Sequence, residues 1–305
     1  MSNDTVKIVG ILRGMAGEQY ETSLKRGGEL ISHISENLKE KWQPVDIFID
    51  KNYIWHCGGV PVNPGDLIQK VDVVWNASHP SLSNILEGLS IPNVGVSNFS
   101  SMLEKNREML REHAKKIGLN MSRHILIPLY QKDFDGDKDK FIIRKAREVF
   151  EKFGAPWIVK SLTSGSVMGI HVAKTYPELI GAIADGVNHE QSILVEEFIT
   201  GKSATAHSIP MFRGEDLYIF FPNNFSVDEK EKAKSVIRNL HNHIGAKHYL
   251  KSDFVLHPKR GWFLTGINLH PDLGIESHLT QSSESVGAQM HYVIEHILES
   301  ALNSR

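Results

Sequence analysis

Apolar residues along the first hundred positions alternate between two rhythms. The run "VKIVGILRG" (Val6–Gly14) reads as a strand that enters the glycine-rich turn "GMAGEQ". From Tyr20 to about Lys41 the spacing of Leu24, Leu30, Ile31, Ile34 and Leu38 is that of a helix with one apolar face. "VDIFID", "VDVVWN" and "IPNVGVS" follow as short apolar strands, with "SLSNILEGLS" between the last two as a crossover helix. Such alternation predicts a parallel sheet covered on both faces, with ligands at the carboxyl ends of its strands. This first domain is expected to end near residue 98.

The pattern then changes. A long amphipathic helix is predicted over Ser100–Ile117, stopping at Gly118, and "HILIPLY" is a strand. The helix "KFIIRKAREVFEKFG", the strands "PWIVKSL" and "GIHVAKT" around a glycine turn, the helix "YPELIGAIADGV" and the strand "SILVEEFIT" make a second unit of mixed type, set at 99–190. In the last stretch, 191–305, strands "SATAHSIPMF" and "DLYIFFP" precede a charged helix from Val227 to about His243. A hairpin of "YLKSDFVL" and "GWFLTGIN" and a closing amphipathic helix over Ser282–Leu302 complete the chain.

Composition narrows the function. A chain of 305 residues with 41% hydrophobic and 23% charged residues is globular and long enough for two or three cores. A formal charge of -2, with acids and bases interleaved, supplies no concentrated basic surface, so nucleic acid is not an expected partner. The single cysteine, Cys57 beside His56, rules out an intrachain disulfide framework and reads as a packed or exposed thiol. No basic leader and no membrane-spanning apolar run is visible, so a cytoplasmic protein without a membrane partner is expected.

Four segments carry candidate chemistry. In "IVKSLTSGSVMGI", Lys160 ends a strand and is followed by Ser164, Gly165, Ser166 and Gly169. Glycines let backbone amides approach anionic oxygens, and hydroxyls and a lysine add donors, so the turn suits phosphates; an unliganded hairpin turn would be written much the same way. In "LVEEFITG", alternation puts one of Glu196 and Glu197 on a buried side, where it can accept from an adenine amino group; an exposed acidic pair is the other reading. Asp253 and Asn268, on strands expected to pair, offer two oxygen ligands for a hard cation that also grips phosphate. The acidic run "KDFDGDKDK" is read as a solvated turn. Counted from Asp133, its Gly136 is fourth where a calcium loop needs a glycine sixth, and the twelfth place is Arg144.

In this order and spacing the segments resemble the ATP-grasp superfamily and, more narrowly, D-alanine:D-alanine ligases. The resemblance also takes in "GMAGEQYETSL", "NASHP", "KSDFVL" and "GINLHPDLGIESHL" and runs over most of the chain. It implies an ATP-grasp fold, α/β and α+β in class, with an N-terminal Rossmann-like (pre-ATP-grasp) domain. It further implies ATP and Mg2+ as cofactors, a homodimer, and a place in cell-wall peptidoglycan synthesis. In the implied reaction ATP phosphorylates one D-alanine carboxylate, and the amine of a second D-alanine attacks the acyl phosphate. By the same resemblance Lys160 touches the phosphates, Ser166 lies near the first substrate, and Glu196, Phe198 and Ile199 surround adenine. Arg107, or Lys105 in another register, stands for a phosphate-binding lysine. Asp253 and Asn268 match metal ligands, His79 the histidine near the first amino acid, and Ser277 the hydroxyl that holds the second substrate's carboxylate.

The departures are specific. Gly266 stands where the family carries a glutamate bridging two magnesium ions, so a single ion is the expectation unless His270 or Asp272 replaces the ligand. Gln19 replaces a carboxylate that pairs with the first substrate's ammonium group, and Ser203 a ribose-binding glutamate. Lys251 replaces an arginine that steadies the oxyanion, and Asp272 a glycine whose amide helps bind it. "SIPMF" and "DLYIFFP" lie too close for the family's active-site lid. Altered or lost ligase activity follows as the expectation, with a non-catalytic nucleotide-binding relative as the alternative.

Overall fold

The computed structural model describes residues 5–17, 19–162, 168–221 and 225–303. The chain divides into two compact units that are discontinuous in sequence. Unit one is Met1–Gly118, Ala204–Asp253 and Gly266–Arg305; unit two is Leu119–Ser203 and Phe254–Thr265.

Unit one begins with β1 (Lys7–Gly14), α1 (Tyr20–Asn37), β2 (Trp42–Ile49), β3 (Trp55–Cys57), β4 (Val60–Val62), β5 (Val73–Asn76), α2 (Ser81–Gly88), β6 (Asn93–Val94), α3 (Asn98–Lys105) and α4 (Arg107–Lys116). Its sheet has the order β4-β3-β2-β1-β5-β6. β1 pairs in parallel with β2 and β5, and β5 with β6, whereas β3 and β4 add an antiparallel edge that periodicity did not disclose. Both faces are covered, as the continuous apolar runs require. Val9, Ile11, Val73 and Trp75 pack with Leu30 and Ile34 of α1 on one side. Leu12, Ile47 and Val74 pack with Leu82 and Leu86 of α2 on the other. Gly27 permits the close seating of α1, since a Cβ there would lie 2.6 Å from Cδ of Arg13. Arg13 is itself forked onto Asp46 at 2.7 and 2.9 Å.

The helix expected over Ser100–Ile117 is two helices. Asn106 adopts an extended conformation (φ -108, ψ 101) and its side chain accepts from Met109 N–H at 3.0 Å, capping α4. A polar residue inside an apolar-periodic run was the available signal.

Unit two contains β7 (Asn120–Met121), β8 (His124–Ile127), α5 (Lys132–Asp135), α6 (Lys138–Lys152), β9 (Trp157–Ser161), β10 (His171–Ala173), α7 (Tyr176–Asn188) and β11 (Ile193–Glu197). Four of these strands, without β7, form an antiparallel sheet in the order β10-β9-β11-β8. Trp157, Val159, Ile193 and Val195 face Phe141, Val149, Leu179 and Ile183 of α6 and α7 in one core. The acidic run is a single exposed helical turn ended by Gly136 at φ 74, with Asp137 capping α6, in keeping with a solvated turn.

The chain continues through β12 (Lys202–Pro210), β13 (Leu217–Phe220), α8 (Val227–Ile244), β14 (Leu250–His257), β15 (Gly261–Asn268), α9 (His278–Glu284) and α10 (Met290–Asn303). β12 and β13 form a hairpin whose connection, Met211 to Asp216, closes with Met211 N–H donating to Asp216 O at 3.2 Å. α8 carries a capping box of Ser226 and Glu229 and stops at left-handed Gly245. The closing helix expected over Ser282–Leu302 is also two. α9 ends before Gly287 (φ 69), and α10 supplies Val293, Ile294, Ile297 and Leu298 to the first core. Among the described residues no helix is long and apolar enough to cross a membrane.

Candidate functional site

In unit two, β9 and β11 place their charged residues by strand alternation. Lys160 pairs in register with Leu194 and Glu196 with Ile158, so Lys160 and Glu196 are diagonal neighbours on the face opposite the core. Their Nζ and Oε2 lie 2.9 Å apart, with the Glu196 side chain only 5% exposed. The Ser122 hydroxyl donates to Glu196 Oε1 at 3.3 Å.

Glu197 falls on the core face, yet it too is buried, which corrects the expectation that one of the two carboxylates is outside. Arg123 Nε at 2.9 Å and Arg260 Nη1 at 2.6 Å bracket it. Burial drives the Glu197 carboxyl upward, and the hydrogen bonds from Arg123 and Arg260 outweigh this, leaving it lowered to about 2. Phe198 is exposed and Ile199 half-buried just past β11, while Gly169 is exposed before β10. Ser164, Gly165 and Ser166 lie outside the described residues.

In unit one, β12 lies beside β14, and alternation sets Thr205 and His207 on one face with Tyr249, Lys251 and Asp253. The Thr205 hydroxyl donates to Asp253 Oδ1 at 2.6 Å, and Lys251 Nζ sits 3.3 Å from Asp253 Oδ2. A Cβ added at Gly266 would find Asp253 Oδ2 at 4.0 Å and no other atom within that distance. The glycine therefore leaves open space beside the carboxylate. Asn268 Oδ1 accepts from His270 N–H at 2.8 Å, which turns the chain at the end of β15.

As a cation site this donor set holds one carboxylate and one amide oxygen. Among the described residues no group of three His, Cys, Asp or Glu side chains is arranged to hold a metal ion. Such a set fits one hard cation that takes its remaining oxygens from phosphate and water, and does not fit a bridged pair. Burial pushes His270 down to about 3, and the nearby Arg26 and Lys105 add to this. Asp272 Oδ1 accepts the Gly274 N–H at 3.1 Å.

The remaining candidates lie at loop and helix ends of unit one. Gln19 is exposed and precedes α1 without capping it through its side chain. His79 follows β5 in a turn pinned by Asn76, whose Nδ2 donates to His79 O at 3.0 Å and to Ser83 Oγ at 2.9 Å. Burial lowers the His79 imidazole, and Lys105 at the end of α3 lowers it further. Lys105 is thus the cation felt at His79, and Arg107 is the first residue of α4. Ser277 caps α9: its hydroxyl donates to Asp272 O at 2.8 Å and accepts from Thr280 N–H at 3.1 Å.

Sequence reasoning missed two clusters. Arg26 of α1 is lowered by burial, against the raising charges of Glu104, Asp272 and Glu29. Glu104 is raised by burial although it accepts Leu269 N–H at 3.0 Å. The second is a polar chain from Tyr249, just before β14, through His207 of β12 to His278 at the start of α9, residues far apart in sequence.

Residues 114–209 match the family model described as D-ala D-ala ligase C-terminus. A D-alanine–D-alanine ligase of Legionella pneumophila (strain Corby) is 28% identical in an alignment 226 residues long that covers 65% of this chain and 59% of that protein. The chain thus spans less than two thirds of that relative's length in the alignment. D-alanyl-alanine synthetase A from Vibrio cholerae O1 biovar eltor superposes with a TM-score of 0.74 at 16% identity, covering 99% of this chain and 100% of that one. The D-alanine–D-alanine ligase from Bacillus anthracis, complexed with ATP, gives 0.67 at 18% identity, with 97% of each chain covered. These likenesses establish the fold that the segments in the sequence imply: the chain has the ATP-grasp fold and resembles D-alanine:D-alanine ligases.

Proposed function

We propose that the chain is an ATP-dependent carboxylate-amine ligase for D-alanine or another small carboxylate, with activity altered by its substituted positions. The γ-phosphoryl group passes from ATP to a carboxylate oxygen and ADP leaves. An amine then attacks the acyl carbon, loses a proton, and expels inorganic phosphate. The reading is carried by one observation, the face of β14 that presents Lys251 and Asp253 together beside the space left at Gly266. A cation beside a carboxylate is what a reaction dominated by charge neutralisation needs.

In this reading Lys160 binds phosphate oxygens while Glu196, 2.9 Å from Lys160, accepts from adenine, and Phe198 and Ile199 supply apolar contact. Ser164, Gly165, Ser166 and Gly169 form the phosphate turn, and Arg107 adds a second cation. Asp253 and Asn268 hold one magnesium ion, which when bound neutralises phosphate charge. Lys251 steadies the oxyanion as a point charge. Gln19 and His79 orient the first substrate, and Ser277 contributes to the second. A cytoplasmic homodimer in peptidoglycan precursor synthesis belongs to the same proposal.

Gly266 favours a second reading, in which the chain binds nucleotide without turnover. Magnesium-dependent ADP release measured with a panel of D- and L-amino acids, beside ATP-induced thermal stabilisation, separates the two. Turnover with any acceptor supports the ligase; stabilisation without turnover supports the binding protein; neither result removes both.

A further inference from the structure

Tyr249, His207 and His278 form a hydrogen-bonded chain within unit one. The Tyr249 hydroxyl lies 2.7 Å from His207 Nδ1, and His207 Nε2 lies 2.8 Å from His278 Nδ1. Ser282 Oγ also approaches His278 Nδ1, at 3.2 Å. His207 is 2% exposed and Tyr249 4%, whereas His278 is exposed.

The direction of the protons follows from burial. A buried phenol O–H needs an acceptor, and among the described residues the only hydrogen-bond partner of the Tyr249 hydroxyl is His207 Nδ1. Tyr249 therefore donates to that nitrogen. Burial holds His207 neutral, lowered to about 3 with help from His278 and Lys251, so its one ring proton is on Nε2 and points at His278 Nδ1. His278 must accept there, which leaves its own proton on Nε2, the nitrogen turned away from the chain. His278 is bonded to His207, whose strand face also carries Lys251 and Asp253, and the charges of both residues act on its ring. A neutral imidazole N–H beside an ammonium group is a suitable donor pair for an anionic oxygen.

We infer that His278 is a binding residue whose Nε2–H, aimed by Tyr249 and His207 as positioning residues, donates with Lys251 to a carboxylate or phosphoryl oxygen of the substrates. The inference rests on the proposed ligase reading for its ligand, and on the hydrogen-bond chain alone for its tautomer.

The test is long-range 1H–15N spectroscopy of histidine-labelled full-length protein at neutral pH, with His278 assigned through His278→Gln. The expected result is Nε2–H in the parent, a mixture of tautomers in Tyr249→Phe, and a shift of the His278 signal on adding inorganic phosphate or, separately, D-alanine. A response to phosphate alone assigns the phosphoryl oxygen, and a response to D-alanine alone the carboxylate. An Nδ1–H or charged His278 in the parent overturns the inference, as does silence toward both probes. ATP-induced stabilisation and ADP release on the same sample report on the ligase reading separately. Loss of both with the tautomer and probe response intact ends that reading and leaves His278 as an anion donor.

Discussion

Replacing Gly266 by glutamate returns a carboxylate to the space beside Asp253, and the structure gives the size of the effect. Gly266 is not among the positive-φ glycines, so the backbone accepts a side chain, and its nearest obstacle is Asp253 Oδ2 at 4.0 Å. Two like charges about 4 Å apart repel by about 1 kcal/mol in water and by about 4 kcal/mol at the screening of a protein surface. Asp253 is 33% exposed and Lys251 Nζ already lies 3.3 Å from it, so the lower value applies. Filling a strand glycine returns about 0.5–1 kcal/mol of backbone entropy. Gly266→Glu should then lie within about 1 kcal/mol of the parent without magnesium. If the added ligand brings the magnesium dissociation constant to about 1 mM, roughly 10 mM magnesium stabilises the variant by about 1.4 kcal/mol. That corresponds to a rise of roughly 2–4 °C in melting temperature for a chain of this size, read by differential scanning fluorimetry with and without the ion. The same magnesium response in parent and variant, or a response in Gly266→Glu that survives Asp253→Asn, would refute the reasoning.

Three further outcomes follow from the same geometry. Lys160→Met should destabilise unit two by about 3 kcal/mol because it removes the ammonium group 2.9 Å from a Glu196 side chain that is 5% exposed. Adding Glu196→Gln should restore much of the stability without restoring ATP binding, and full stability in the single variant contradicts this. Glu197 is lowered from its ordinary 4.5 to about 2. Its contribution is therefore complete above pH 4.5 and lost as pH falls toward 2, worth about 3 kcal/mol at most. Melting curves of parent and Glu197→Gln should converge across that window. His241, pushed down to about 4 by burial, binds its proton more readily when unfolded. Between pH 6.5 and 5 this should cost about 2 kcal/mol, and His241→Gln should flatten that part of the stability profile.

The sequence made the first sheet legible because strands buried on both faces, such as β1, are written as apolar runs between glycines. Lys160 near the end of β9 and the neighbouring strands that carry Asp253 and Asn268 were legible as local patterns of residue type. Asn106 and Gly287 break two predicted helices because capping and left-handed turns act at single residues, which a periodicity summed over many residues overlooks. Glu197 was misjudged because Arg260, from far along the chain, makes its burial tolerable. The Tyr249–His207–His278 chain and the Arg26–Glu104 cluster arise from contacts between distant segments, and no spacing rule reaches them. The two units return to one another's sequence at Asp253 and Thr265, a division that no linker composition marks.

The central claim is that this chain couples ATP cleavage to ligation of a carboxylate and an amine. Its most direct measurement is positional: incubate the protein with ATP, magnesium and D-alanine carrying 18O in its carboxylate, and follow phosphate by 31P spectroscopy. The account predicts one 18O transferred into the inorganic phosphate together with amide product. ADP formed with unlabelled phosphate, or no ADP with any acceptor while ATP still binds, would contradict it.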